Sequence, residues 1–345
     1  MSVAAHFGNP MIEQRNLAAG TAIVELGARG IITVSGEDRL TWLHSLLSQN
    51  LANLEAGVSA ETLLLDPHGH IEQVIHFLDD GQTSWLIVEA EGREPLLAWL
   101  NKMVFRKKVE IQDRSDDFAV VGHIGESMPE AEVSNGVPLV WQDPWPGVVA
   151  GGVRYSMARP AVWPWTENLI AASNVEVLAT KYLAAGLMAY DALRIAAHRP
   201  RQLTEVDEKA LPHEFDWLST AVHMSKGCYR GQETVAKVHN LGHPPRRLTF
   251  LHLDGSGHAI PDAGDAVRVA GDELIRGKIT VAANHFEMGP IALALLSRNV
   301  PEDAHLVVES SVGAITANQE IIVPPSAGKA ADSPKRNLLM GGKHR

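Results

Sequence analysis

The chain has 345 residues, of which 45% are hydrophobic and 21% are charged, a composition typical of globular proteins with two or three domains. Its net charge of -11 argues against general nucleic-acid binding, which depends on Lys and Arg neutralising phosphates. The single cysteine, Cys228, excludes an intramolecular disulfide and any Cys-x-x-Cys metal centre built by this chain alone. The N-terminal sequence lacks a basic region followed by an apolar run, and no stretch reaches the roughly 18 apolar residues of a membrane span, so we expect a cytoplasmic protein without a membrane partner.

The first 115 residues indicate a disordered start over 1–19 and a first domain over 20–115. Short β-branched runs predict strands, and leucines at helical spacing predict a helix behind the Ser-x-x-Asp sequence that begins at Ser35. The predicted elements are strands at 22–26 and 31–34, a helix carrying Leu40 to Leu51, strands at 62–65, 71–78 and 84–88, a helix carrying Leu96 to Val104, and a strand near 109–111.

A second domain is predicted over 116–240, with segment exchange with the first domain left open, and a third over 241–323. Residues 118–124 predict a strand and residues 175–187 one helix. After Arg247 the pattern changes to short strands, which favours a small β barrel. These strands are predicted at 248–253, 266–269, 278–281, 291–296 and 320–323. Residues 324–345 are basic and rich in Pro, Ala, Gly and Ser, so a disordered tail is predicted there.

Cys228 is the candidate functional thiol. It lies between Lys226 and Arg230, two cations that could stabilise a thiolate, and between Gly227 and Gly231, whose small size lets a ligand approach. These polar neighbours suit a buried structural cysteine poorly. Because one thiolate cannot hold a cluster, Cys228 could serve a metal centre only as one ligand of a cluster bridged between chains.

Other polar residues leave alternatives open. Gln232 and Glu233 could present an amide and a carboxylate to a planar heterocycle, or they could cap a helix or strand. A Cys-His dyad could use His223 or His239 as its base. The weaker candidates are a metal site formed by His68, His70 and His76, and loop charges at Glu205, Asp207, Glu208, Asp262 and Asp265.

The segment Lys226 to Glu233, Lys-Gly-Cys-Tyr-Arg-Gly-Gln-Glu, resembles the signature of the YgfZ family, the folate-binding relatives of the glycine-cleavage T-protein. Further segments support the resemblance, which spans roughly residues 20 to 323 and leaves the tail outside. They are Gly36-x-Asp38-Arg39-x-x-Trp42-Leu43-His44-x-Leu46-x-Ser48-Gln49, Leu64-Leu65-Asp66-Pro67-x-Gly69, and Gly277-Lys278-Ile279-Thr280 leading to Gly289-x-Ile291-Ala292-Leu293-Ala294.

The resemblance implies an α+β fold of three domains around a central opening that holds tetrahydrofolate, with a C-terminal β barrel as the last domain. It also implies a folate site, for which Asp66, Arg194, Gln232 and Glu233 are the candidate contacts. Cys228 is the residue that distinguishes the family. The rest of its motif is formed by Lys226, Gly227, Tyr229 and Gly231.

The resemblance implies an accessory factor that binds a reduced folate and supports assembly or repair of iron-sulfur ([4Fe-4S]) proteins, with client or assembly proteins as partners. Two alternatives are a folate-dependent aminomethyl- or demethyl-transferase and a non-catalytic interaction module whose folate site has decayed. T-proteins carry a Thr-Gly-Glu-x-Gly segment, and none occurs here between Gly147 and Arg159. This difference favours a non-catalytic assembly factor.

Overall fold

A computed structural model describes residues 3–27, 29–125, 130–156, 163–257, 259–311 and 313–328. The helices are α1 (Pro10–Ala18), α2 (Arg39–Leu46), α3 (Arg93–Met103), α4 (Val175–Lys181), α5 (Leu187–Ala196), α6 (Gln202–Glu205) and α7 (Gln232–Leu241). The strands are β1 (Ala22–Glu25), β2 (Gly30–Ser35), β3 (Ala60–Leu65), β4 (Ile71–Asp79), β5 (Thr83–Val88), β6 (Glu110–Asp113), β7 (Phe118–Ile124), β8 (Val133–Ser134), β9 (Val137–Pro138), β10 (Val140–Gln142), β11 (Trp165–Ala171), β12 (Leu183–Ala185), β13 (Arg246–Leu253), β14 (Ala266–Val269), β15 (Ile275–His285), β16 (Gly289–Ser297), β17 (Leu306–Ser310) and β18 (Gly313–Ile321).

The first sheet is the predicted meander β3-β4-β5 with two further strands, β2 and β6, beyond β5, and all its neighbouring strands are antiparallel. One face packs against α2 and α3, where Leu43, Leu96 and Leu100 are fully buried. Strand residues alternate between the two faces, so Leu63 and Leu65 point to the opposite side. This sheet therefore buries both of its faces.

The second sheet, in the order β10-β11-β7-β1-β12, covers the other face of the first. Trp85 of the first sheet shares this core with Trp141 and Trp165 of the second. Strand β1 precedes the first sheet in the chain but pairs with β7 and, in parallel, with β12. The two units thus exchange a segment, while the domain boundaries stay predictions.

The C-terminal strands close into a six-stranded barrel in the order β13-β16-β15-β14-β17-β18, which confirms the predicted architecture. Its interior is lined by aliphatic side chains such as Leu251, Val267, Ile279 and Val308. Strand β17 was not predicted, and β18 begins at Gly313 instead of residue 320. Among the described residues, no helix is long and apolar enough to cross a bilayer.

Several local predictions failed where tertiary contacts overrode the local pattern. Residues 10–18 form α1 instead of a disordered start: the Asn9 side chain caps the helix, and Glu13 accepts a hydrogen bond from the backbone N–H of Gly186. The helix predicted over 175–187 is divided by β12, which pairs with β1. Helix α7 had not been predicted. Of the predicted tail, residues 324–328 are described and Ala327 is buried, while 329–345 lie outside the described residues.

Candidate functional site

Cys228 is exposed on the loop before α7, and Lys226 anchors that loop. The Lys226 Nζ donates hydrogen bonds to the carbonyl oxygens of His44, Leu47 and Gln49, the last two at 2.5 and 2.9 Å, at the C-terminal end of α2. Burial lowers the Lys226 pKa to about 7, although an ammonium is needed to supply three donors. Lys226 therefore points inward to a helix end, and its stabilisation of a thiolate stays a prediction.

Arg230, the second flanking cation, is also engaged away from the thiol. Its Nη1 lies 2.8 Å from Glu72 Oε2 on β4, and its guanidinium lies 5.8 Å from the centre of the Trp99 ring on α3. The structure thus shows an exposed Cys228 between two residues that are anchored elsewhere. Both anchors reach the first sheet or a helix that packs on it. The loop therefore presents Cys228 at a defined place on the surface.

The glycines of the motif have different surroundings. A Cβ added to Gly227 would meet no atom within 4 Å, so this side of the loop is open. Gly231 has φ of +82°, and a Cβ there would lie 2.6 Å from the carbonyl oxygen of Asp66 and 2.9 Å from Gly69 Cα. Only glycine suits that conformation and that close approach of two backbones. The loop is therefore pressed against the turn between β3 and β4.

Gln232 and Glu233 form the first turn of α7. Gln232 Nε2 donates to the carbonyl oxygen of Lys226 at 3.4 Å, and Glu233 is exposed in a position that favours the helix dipole. Tyr229 is buried, with its ring 5.2 Å from Lys226 Nζ. These contacts hold the motif together. The role of Gln232 and Glu233 in ligand binding stays a prediction.

Two of the four predicted folate contacts, Asp66 and Arg194, make structural contacts in the described part of the chain. Asp66 accepts hydrogen bonds from the backbone N–H groups of His68 and His70, both at 2.8 Å, which is the geometry of an Asx turn. Arg194 is fully buried and bonds to Glu205 at 3.0 Å and to the carbonyl oxygen of Arg199 at 2.8 Å. Its polar contacts lie inside the fold, and its role as a ligand contact stays a prediction.

A pocket between the two sheets brings together charged residues whose convergence the sequence did not predict. Arg199 is buried there, with Nη2 2.6 Å from Glu61 Oε1 and Nε 2.9 Å from Asp143 Oδ2. Both carboxylates are fully enclosed or nearly so. Burial raises the Asp143 pKa in spite of the attraction of Arg199. One guanidinium thus compensates two buried carboxyl groups.

The same pocket contains two more buried carboxylates. His76 Nδ1 lies 2.8 Å from Glu167 Oε2, and the His76 ring stacks on Trp141 with centroids 3.6 Å apart. Although burial opposes ionisation, His76 and Arg29 hold the Glu167 pKa at about 2. Glu89 is paired in a similar way with Arg29 at 2.9 Å and Arg201 at 2.6 Å, and its pKa is also about 2 despite burial.

The pocket offers groups that suit the polar edge of a pterin. Among the described residues, Arg29 Nε and Arg199 Nη1 are buried without a hydrogen-bond acceptor. The carboxylates beside them keep spare lone pairs, and Trp165 and Tyr190 supply flat aromatic walls. The cavity itself is small, about 20 Å³, which is room for a single water molecule. Its polar groups match the donor and acceptor edge of a planar heterocycle such as that of folate, and the surrounding side chains would have to move for such a ring to enter.

The other candidates have structural partners. His239 Nδ1 lies 2.8 Å from the Tyr155 hydroxyl, and His70 and His76 face different carboxylates, Asp66 and Glu167. Within the described ranges, no three or more His, Cys, Asp or Glu side chains converge as a metal site would require. Three of the five predicted loop charges are also engaged: Glu205 with Arg194, Asp207 with Arg246, and Asp265 with the backbone of Asp262.

No family model matches the chain. A protein of Arabidopsis thaliana named as a chloroplastic transferase is 27% identical over 305 residues, 79% of this chain and 65% of that protein. A tRNA-modifying protein YgfZ of Aliivibrio fischeri is 38% identical over 93 residues, 26% of this chain and 29% of that protein. A mitochondrial homolog of an iron-sulfur cluster assembly factor from Mycosarcoma maydis is 25% identical over 249 residues, 68% of this chain and 57% of that protein. The chain thus spans less than two thirds of the length of each of these relatives.

The fold has a close counterpart among solved structures. The glycine cleavage system aminomethyltransferase T from Bartonella henselae matches with a TM-score of 0.70 over 92% of this chain and 89% of that chain, at 16% identity. At this identity the likeness shows the fold alone, and it includes the predicted arrangement of mixed α/β units and a C-terminal barrel. Taken with the named sequence relatives, it supports the resemblance of this chain to YgfZ-type proteins of the glycine-cleavage aminomethyltransferase superfamily.

Proposed function

We propose that this protein binds a reduced folate and supports the assembly or repair of [4Fe-4S] proteins, with Cys228 as its functional thiol. The observation that carries the proposal is the placement of Cys228: exposed, yet on a loop anchored by Lys226 and Arg230 to two different elements. A structural cysteine would be buried. An exposed thiol on a fixed support is suited to meeting a second macromolecule, and the named cluster-assembly relative agrees with that role.

For the folate, we propose the pocket between the sheets. Arg29 Nε and Arg199 Nη1 would donate hydrogen bonds to the folate. Glu61, Asp143 or Glu167 would accept hydrogen bonds from it. Bound tetrahydrofolate would supply a carrier for one-carbon units. The test is calorimetry with tetrahydrofolate on the wild type and on Arg29→Lys and Glu72→Gln, the last lying outside this pocket. We expect binding to weaken for Arg29→Lys and to be kept in Glu72→Gln. Equal binding by both variants would place the folate elsewhere.

The cluster function is tested by depletion of the protein and rescue. Depletion should lower the activities of selected [4Fe-4S] enzymes, and wild-type protein should restore them, whereas Cys228→Ser should not. Ser225→Ala, a change three residues earlier at another exposed position of the same loop, is the matched control and should rescue fully. Full rescue by Cys228→Ser would show that the thiol is dispensable.

One observation also favours the second candidate, a folate-dependent one-carbon transferase. The pocket places four buried carboxyl groups around its walls, and burial raises the Asp143 pKa, which is the direction that a general acid beside the proposed folate would need. Turnover of an aminomethyl or N-methyl donor with tetrahydrofolate, lost in Asp143→Asn, would support this candidate. Absence of turnover together with folate binding would leave the accessory function.

A further inference from the structure

A histidine-carboxylate pair joins the two sheets at the wall of the pocket between them. His76 lies on β4 of the first sheet and Glu167 on β11 of the second, with His76 Nδ1 2.8 Å from Glu167 Oε2. The His76 ring stacks on the fully buried Trp141 with an angle of 1° between the two planes. Trp141 is itself fixed, because its Nε1 donates to the Ala60 carbonyl oxygen at 2.8 Å. Both sheets therefore set the position and the plane of the imidazole.

The partner of Nδ1 decides which nitrogen of His76 is open to a ligand. Glu167 is fully buried, and with a pKa of about 2 it accepts hydrogen bonds as a carboxylate. Nδ1 therefore carries a hydrogen and donates it to Glu167. The other nitrogen, Nε2, has no hydrogen-bond partner among the described residues and is not one of their enclosed unpartnered atoms, and the side chain is 15% exposed. Nε2 is thus the atom of this pair that can take up or release a proton.

The carboxyl groups that face His76 are already supplied with hydrogen-bond donors. Asp143 accepts three hydrogen bonds, each at 2.9 Å, from Arg199 Nε, Trp163 Nε1 and the backbone N–H of Trp145. The other carboxyl groups of the pocket each have at least two donor atoms at 3.2 Å or less; they are Glu61, Glu89 and Glu167. Protonating any of these groups would weaken hydrogen bonds that already exist, whereas a proton on Nε2 displaces none.

The charge of the pocket favours one additional proton. Its described lining contains four carboxyl groups and three guanidinium groups, the latter on Arg29, Arg199 and Arg201. When every carboxyl group is ionised, one negative charge is in excess, and a proton on His76 cancels it. Imidazole is also the side chain that gains and loses protons between about pH 5 and 8. Asp143 is the competitor for this proton, because burial raises its pKa.

We propose that His76 Nε2 takes up a proton and presents it to the ligand of this pocket, with Glu167 as the positioning residue that holds the ring. The inference rests on the proposal that the pocket takes a reduced folate, whose polar edge carries lone pairs. Binding of folate would then draw a proton from solution whenever His76 is neutral. Proton uptake should therefore accompany binding above about pH 7 and become small near pH 5.5, where an imidazole is largely protonated before the ligand arrives.

Calorimetry with tetrahydrofolate in phosphate and in Tris counts these protons, because the two buffers release different heats when they give up a proton. At about pH 7.5 the wild type should take up about half a proton or more per folate. The uptake should be lost in His76→Gln and in His76→Phe, which keeps a flat ring against Trp141. His70→Gln is the matched control, because His70 is paired with Asp66 at 2.9 Å outside this pocket, and it should keep the wild-type uptake.

Nitrogen NMR of labelled histidine side chains tests the same assignment in the wild type, without any substitution and without folate. In the neutral ring of His76 the hydrogen should lie on Nδ1 and Nε2 should give the signal of an unprotonated nitrogen. Glu167→Gln should weaken this preference. A neutral His76 with its hydrogen on Nε2 would overturn the inference.

The calorimetric outcomes separate this inference from the proposed function. If the wild type binds no tetrahydrofolate, the proposed folate site falls and this inference falls with it. Folate binding with equal proton uptake in the wild type and in both His76 variants would overturn this inference alone and assign the proton to Asp143. Folate binding without proton uptake in the wild type would overturn it as well.

Discussion

The pocket between the sheets and the Cys228 loop both contain charged side chains, but burial gives these charges different tasks. In the pocket, Arg199 compensates Glu61 and Asp143 deep inside the fold, so each partner depends on the others. On the loop, Lys226 and Arg230 anchor the backbone that carries the exposed thiol of Cys228. Removing a buried charge leaves an uncompensated partner, whereas removing the thiol leaves water in its place. The buried charges that stabilise the fold and the exposed thiol that could react thus lie in separate regions.

The comparison is tested most strongly by Arg199→Met. This change leaves Glu61 and Asp143 buried without their cation, and we expect the free energy of unfolding to fall by about 3–5 kcal/mol. Denaturant unfolding measures it. Arg93→Met, which removes a partly exposed pair with Asp113, is the control and should cost at most about 1 kcal/mol. Equal effects of the two changes would show that the pocket is not a structural network.

The next effect is a pH dependence from His213. Burial lowers its pKa from 6.5 to about 4, and its Nε2 lies 3.0 Å from the Val235 carbonyl oxygen of α7. Between pH 6.5 and 4 the unfolded chain binds the proton and the folded chain does not, so stability should fall as pH falls, by about 3 kcal/mol across the window.

The measurement for His213 is denaturant unfolding of the wild type and His213→Gln at several pH values. In the variant this part of the pH dependence should disappear. His68→Gln, a change at an exposed histidine, should keep the wild-type slope. A slope unchanged in His213→Gln would mean that another group causes the acid sensitivity.

A smaller loss is expected from Lys226→Met. The variant keeps most of the apolar stem but leaves the carbonyl oxygens of His44, Leu47 and Gln49 without their donor, at a cost of about 2 kcal/mol. Hydrogen exchange should increase in the loop before α7 and at the end of α2, while the barrel stays protected. An unchanged loop would show that Arg230 alone positions Cys228.

The smallest effect is expected from Cys228→Ser. Because the thiol is exposed, the free energy of unfolding should stay within about 0.5 kcal/mol of the wild type. Denaturant unfolding checks this value beside the rescue experiment described above. A loss of several kcal/mol would mean that Cys228 has a structural role and would remove the contrast between the two regions.

The meander, α3, β7 and the barrel were predictable because their patterns are local. Strand alternation and leucine spacing depend on neighbouring residues, and the turns between them carry Gly, Asp and Pro. The motif around Cys228 was recognisable for the same reason: its residues are contiguous. Local sequence patterns and the contiguous motif were therefore sufficient to predict the fold class and to select Cys228 as the candidate residue.

By contrast, only the tertiary structure decided which charges meet. Arg199 and Glu61 are 138 residues apart, and Arg230 and Glu72 are 158 apart, so no local pattern relates them. Lys226 could be assigned to the thiol from sequence proximity alone, but the free end of α2 offered three carbonyl acceptors 177 to 182 residues earlier. The sequence by itself determined the meander, the C-terminal barrel and the contiguous motif around Cys228. Folding determined the partners, because a buried charge must pair with whatever long-range contact the packing brings within hydrogen-bond distance.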